Sequence, residues 1–150
     1  MIRVHCPDAA STRATGRRLS GLLRPGDVVL LAGDLGAGKT VFAGGIGDGL
    51  GVEDPVVSPT FVLVRHYRGL MPMTHADIYR LGSSAELEDL DLPAESADGV
   101  LVVEWGDAAS QAFADDHLLV RFTVQPDGAR SLEFLGTGSW QGRPLREVAG

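Results

Sequence analysis

The run Val28-Val29-Leu30-Leu31-Ala32-Gly33-Asp34-Leu35-Gly36-Ala37-Gly38-Lys39-Thr40 joins an apolar stretch to a glycine-rich octet that ends in a lysine and a hydroxyl. The octet fits G-x-x-x-x-G-K-[ST], a loop whose backbone N–H groups cradle phosphates while the lysine reaches the outer phosphates and the hydroxyl meets Mg²⁺. So short a pattern also arises by chance, as a glycine-rich surface turn with an incidental lysine, and its flanks must decide. The motif needs a buried strand just before it and a helix starting inside it. Val28 to Ala32 is β-branched, apolar and of strand length. Composition points the same way: of 13 basic residues twelve are arginine, and Lys39 is the sole lysine. A chain that otherwise carries positive charge on arginine keeps lysine where a compact, flexible point charge fits and a planar fork does not.

At 150 residues the chain is expected to form a single domain over 1–150, large enough to bury a core. Apolar content of 44% with 22% charged residues is ordinary for a water-soluble protein. No apolar run approaches the length that spans a membrane, and Met1 to His5 lacks the apolar core of a signal peptide. Cys6 is the sole cysteine, so no internal disulfide forms and a cytoplasmic location is expected. The four histidines show no metal-ligand spacing. The net charge of −7 is uneven: residues 1–50 carry +2, 51–100 carry −6 and 101–150 carry −3. Between Arg80 and Arg121 there is no basic residue. Such a surface repels a phosphate backbone and argues against independent nucleic-acid binding. The acidic run, Glu86, Glu88, Asp89 and Asp91 among it, is either a solvated face or a docking face for a basic partner.

Outward from the octet, Ile2 to His5 reads as a strand, followed by a helix capped at Ser11 or nearby and running to about Leu23. Ala14, Leu19, Leu22 and Leu23 form its apolar stripe. Arg24-Pro25-Gly26-Asp27 turns into the strand before the loop. The helix after it spans Lys39 to about Leu50 despite Gly44, Gly45, Gly47 and Gly49, each costing about 1 kcal/mol relative to alanine. Close packing against the sheet must hold it, helped by phosphate at its N-terminus. Val56 begins a β segment through Tyr67, Arg68-Gly69 turns, and Met71 to Ala76 returns, a hairpin beside the core sheet. Ser84 to Leu90 reads as a short helix that Pro93 ends. Val100 to Val103 is a second fully apolar strand, and Leu118 to Val124 and Ser131 to Leu135 alternate as antiparallel strands around Pro126-Asp127-Gly128.

A phosphate loop needs a second protein oxygen for Mg²⁺, usually an acid at the end of a neighbouring buried strand. Glu104 stands there, unless it turns outward to solvent. Asp77, within His75-Ala76-Asp77-Ile78-Tyr79-Arg80, either orients an attacking water, holds metal through water, or caps a helix. Ser58, Pro59 and Thr60 form either a segment that orders around a γ-phosphate or a plain strand entrance. Trp105 and Gly106 rim a pocket or simply pack.

G-D-L-G-A-G-K-T, S-P-T-F, H-A-D-I-Y-R and V-E-W, in this order and at these spacings, resemble the bacterial TsaE (YjeE) family, as does the opening P-D-A-A-S-T-R-A-T-G-R-R-L. That family is the small ATPase required for threonylcarbamoyladenosine formation at position 37 of tRNAs. The resemblance implies an α/β, single-domain P-loop NTPase fold with a mainly parallel core sheet and antiparallel additions. It implies ATP and Mg²⁺ as cofactors, and no [NT]-K-x-D guanine pattern stands against ATP. By similarity Leu35, Gly36, Ala37, Gly38, Lys39 and Thr40 hold phosphates, Thr40 and Glu104 hold Mg²⁺, and Asp77 lies near the γ-phosphate. Lys39, Asp77 and Glu104 are the catalytic candidates and Ser58 to Phe61 the switch. Ala9 and the segment Gly128 to Arg130 fall towards the nucleoside; the family's Gly-Arg reads Gly128-Ala129-Arg130 here. Implied partners are TsaD and TsaB, with tRNA met through the complex and no membrane. An ATPase driving a partner cycle and a nucleotide-gated adaptor are both compatible with these residues; a small-molecule kinase lacks an evident arginine-bearing lid.

Overall fold

In chain order the elements are β1 (Ile2–Cys6), α1 (Ala9–Ser20), β2 (Val28–Ala32), α2 (Lys39–Gly49), β3 (Val64–Tyr67), β4 (Met73–Asp77), α3 (Leu92–Glu95), β5 (Val100–Glu104), β6 (Leu118–Val124) and β7 (Arg130–Gly136), then two 3-10 turns, Gly138–Gly142 and Leu145–Ala149. This is a computed structural model, and it describes residues 1–34, 36–57, 64–78, 91–105 and 116–150. Among these residues the strands form one sheet in the order β1-β7-β6-β2-β5-β4-β3. β6, β2, β5 and β4 run parallel to their neighbours in the centre, and β7, β1 and β3 add antiparallel at the edges.

The centre is parallel because β2 and β5 are apolar on both faces. Every residue of each is buried, as a strand covered on two sides requires. One side of the sheet packs on α1 and α2, with Phe42 and Ile46 of α2 set against Val29, Leu31, Phe122 and Phe134. Phe42 meets Phe122 edge to face at 5.5 Å, a geometry aromatic quadrupoles favour. A smaller cluster of Leu30, Ala76, Ile78, Leu92, Leu101 and Val103 covers part of the other side.

Several local expectations change. α1 is capped by Asp8, whose carboxylate accepts from Ser11 N–H at 2.8 Å; Ser11 is the third helical residue and returns a bond to the Asp8 N–H. The helix ends at Ser20, and Leu22 and Leu23 pack from the turn beyond it. Its buried face is Thr12, Thr15, Gly16, Leu19 and Ser20 rather than a leucine stripe, because the surface it meets is α2. A Cβ on Gly45 would strike the Arg13 carbonyl of α1, and one on Gly16 would strike the Phe42 carbonyl of α2. Gly44, Gly45 and Gly49 therefore serve a close contact with a neighbouring helix, while Gly47 faces Val52, Val56 and Met73. A bidentate Arg13–Asp48 pair, at 2.5 and 2.9 Å, bridges the same two helices.

Val56 and Val57 are irregular, so the described β3 begins at Val64; 58–63 lies outside the described residues. β4 is an inner strand parallel to β5, not an appendage, and starts at Met73. Pro93 stands in the first turn of α3; the helix expected over 84–90, whose end it was expected to mark, falls outside the described residues, as do Tyr79 and Arg80. Among the described residues no helix is long and apolar enough to cross a membrane.

Candidate functional site

The carboxyl ends of β2, β5 and β4 lie side by side, with Leu31 in register with Glu104 and Glu104 with Asp77. In open α/β sheets this edge is where loops bind ligand. From β2 the chain passes through the glycine-rich loop straight into α2. Gly36 and Gly38 have φ of 81° and 105°, a left-handed region where a side chain would be strained. Gly38 is the N-cap of α2 and has no side chain to satisfy the first helical N–H groups. Those donors, with the helix dipole behind them, are what an anion meets at a helix start.

Lys39 is buried, with its ammonium donating to the carbonyls of Gly33 and Asp34 and lying 3.4 Å from the centre of the Trp105 ring. Trp105 itself has φ of 70°, which is costly for a bulky residue; its N–H is held by Leu31 O at 2.7 Å. The Thr40 hydroxyl donates to Glu104 at 3.0 and 3.2 Å. Glu104 is 4% exposed and is further bonded at 2.6 Å to His75 Nε2. It faces the loop and does not turn to solvent. Asp77, also buried, is the last residue of β4 beside Glu104; the residues a cap would serve, from 79 on, lie outside the described ones.

Arg130 reaches from the start of β7 to the loop. Nε donates to Ala37 O and Nη2 to Gly36 O, both at 3.1 Å, while Nη1 bonds Gly128 O. A carbonyl aimed at a phosphate would repel it, so engaging these two with a guanidinium suits an anion-binding loop. Next to it lies a cleft of about 180 Å³ lined by Asp8, Ala9, Thr12, Gly36, Gly38, Val41, Gly128 and Arg130. Ala9, Gly36, Ala37, Gly38, Lys39, Thr40 and Arg130 thus gather around one loop, with Asp77 and Glu104 on the adjoining strand ends. Leu35, Ser58, Pro59, Thr60 and Phe61 fall outside the described residues.

The sequence reading gave no role to His75, Asp8, Thr12 or Val41. His75 was legible in principle, because it alternates with Asp77 and so shares a sheet face with it. Asp8 and Thr12 come to the cleft only because α1 packs on α2, a contact no local pattern announces.

A buried lysine folded into a glycine loop, a helix starting at that loop, and a hydroxyl bonded to a carboxylate at the next strand's end define the P-loop NTPase fold class. The family model for "Threonylcarbamoyl adenosine biosynthesis protein TsaE" matches residues 6–132. The chain belongs to the TsaE family. It is 50% identical over 113 residues to the tRNA threonylcarbamoyladenosine biosynthesis protein TsaE of Streptomyces coelicolor, covering 73% of this chain and 76% of that protein. The protein of the same name from Bacillus subtilis is 36% identical over 130 residues, covering 85% and 81%. The crystal structure of Bacillus subtilis YdiB superposes with a TM-score of 0.81 at 28% identity, covering 99% of this chain and 93% of that one.

Proposed function

We propose that this protein is the ATP-binding and hydrolysing subunit of the machinery that forms threonylcarbamoyladenosine at adenosine 37 of tRNA, acting in the cytoplasm with TsaD and TsaB. The observation that carries the nucleotide part is the Thr40–Glu104 contact beside the loop, where two adjacent parallel strands end. Its donors suit Mg²⁺, which takes oxygen ligands and is commonly held by one or two protein oxygens with substrate phosphates and water completing the shell. When bound, Mg²⁺ supplies positive charge to phosphate oxygens as a Lewis acid.

The chain's own residues divide the remaining work. Lys39 delivers a buried positive charge to the outer phosphates, and the N–H groups of the loop and of the first turn of α2 bind the inner ones. Arg130 fixes the loop carbonyls, and the cleft at Ala9 and Gly128 receives the nucleoside. Asp77 orients the attacking water. Leu35 belongs to the phosphate loop, and Ser58, Pro59 and Thr60 form the segment that orders around the outer phosphate. The adaptor reading, in which binding alone matters, differs in one respect: Asp77 then holds the metal through water and orients no attacking water. ATP turnover of the purified protein, alone and after adding TsaD, TsaB and tRNA, separates the two. Turnover that rises with the complex supports the enzyme; tight ATP binding with flat, negligible turnover supports the adaptor.

A further inference from the structure

His75 lies on β4 two residues before Asp77, and its ring is fully buried. Its Nε2 sits 2.6 Å from Glu104 Oε2, while among the described residues Nδ1 has no hydrogen-bond partner. This asymmetry fixes where the proton is. With the proton on Nδ1 a buried donor would go unanswered, and Nε2 would face the carboxylate lone pair to lone pair; both are costly. A proton on Nε2 instead meets the carboxylate directly. His75 therefore donates to Oε2, and the Thr40 hydroxyl donates to the same oxygen at 3.0 Å. Two donors from different elements converge on one oxygen and fix the carboxylate's rotation. Oε1, 3.2 Å from the Thr40 hydroxyl, is left the less engaged oxygen.

We propose that His75 is a positioning residue which, through Nε2–H, holds Glu104 in the orientation that ligates a divalent cation together with Thr40. The proposal rests on the magnesium reading above. A hydrogen bond from an outer residue sets both the angle and the basicity of a ligand, and losing one typically costs ten- to a hundredfold in metal affinity. The bond is also intrinsic to the protein without ligand, which gives a readout independent of activity.

The test uses the full chain, with ATP binding followed by calorimetry across a MgCl₂ titration. His75→Leu removes the donor at similar volume, and His75→Gln places an amide N–H close to where Nε2 lies. In His75→Leu the MgCl₂ concentration giving half the gain in ATP affinity should rise about tenfold or more, and His75→Gln should return to within about threefold of wild type. ATP affinity in EDTA should hold near wild type in both. In a Glu104→Gln background His75→Leu should add nothing. In the unliganded wild type, nitrogen-15 correlation spectra of the imidazole should show the Nε2–H tautomer. If His75→Leu does not fold, His75→Asn, whose amide is too short to reach Oε2, carries the same expectation. A folded His75→Leu or His75→Asn with a wild-type magnesium profile, an additive effect in the Glu104→Gln background, or an Nδ1–H tautomer overturns the proposal. A wild-type protein whose ATP affinity ignores magnesium overturns the magnesium reading and this inference with it.

Discussion

Buried charge collects at both ends of β2, and the two collections are built differently. Before the strand, Asp27 accepts two bonds from Arg143, at 2.5 and 2.8 Å, and a third from Arg24 N–H at 2.6 Å. Arg143 also bonds Leu22 O and Ser139 Oγ and lies 4.0 Å over the Trp140 ring. It is a cation and an anion matched one to one, locked by backbone groups of Leu22 and Arg24 and by the Ser139 hydroxyl. After the strand, Lys39 is spread over loop carbonyls and an indole face, and Glu104 is held by a hydroxyl and an imidazole. The first cluster closes on itself. Among the described residues the second is instead distributed over backbone carbonyls, an indole face, a hydroxyl and an imidazole drawn from the loop, α2, β4 and β5. Burial alone does not mark a site; the kind of partner each charge has been given does.

That contrast is sharpest for Asp27→Ala. The change strands Arg143, 9% exposed, and should cost about 3–5 kcal/mol of unfolding free energy in a urea titration, leaving ATP affinity of the folded protein near wild type. A loss below about 1 kcal/mol would show that the pair is not the structural cluster described. Gly45→Ala should come next, at about 1–3 kcal/mol, because the new methyl strikes the Arg13 carbonyl across the α1–α2 contact. A neutral or stabilising effect, as helix propensity alone would give, would show that the helices separate easily.

At the other end the ordering reverses. Glu104→Gln keeps the shape and both donors, so its cost in stability should stay under about 1 kcal/mol while the magnesium dependence of ATP binding is largely lost. A wild-type magnesium profile would return Glu104 to a structural role. The smallest effect is expected at Asp48, whose carboxyl the Arg13 hydrogen bond holds below its usual range. A lowered folded value means the contribution is present above about pH 4 and lost as pH falls further. Both side chains are more than a third exposed, so solvent screening limits it to a few tenths of a kcal/mol. Asp48→Asn should flatten the acid limb of the stability curve by that amount; an unchanged limb would show that the pair adds nothing.

How much was legible follows from the range of each interaction. β2 and β5 were readable because a strand buried on both faces is an unbroken apolar run, and β6 and β7 because Pro126-Asp127-Gly128 punctuates their alternation. The loop's place between β2 and α2 was readable because the motif that carries it is local. The end of α1 was not: Leu22 and Leu23 extend the apolar pattern, yet the chain turns at Gly21 and they pack from outside the helix. Asp27 and Arg143 are 116 residues apart, and nothing near either predicts the other. Gly44, Gly45 and Gly49 of α2 read as weakness in isolation and become a contact surface only once α1 lies against them. His75 stands in the same motif as Asp77, but its bond to Glu104 depends on which strand neighbours which.

The central claim is that Lys39, Thr40 and Glu104, after β2, bind magnesium-bound ATP. Calorimetric binding of ATP with MgCl₂ to Lys39→Ala, with the unfolding midpoint measured on the same sample, tests it most directly. Binding reduced by about a hundredfold or more, beside an unfolding midpoint close to wild type, is the predicted result, since a buried charge-assisted contact is worth up to about 3 kcal/mol. A folded Lys39→Ala that binds ATP as the wild type does would contradict the account.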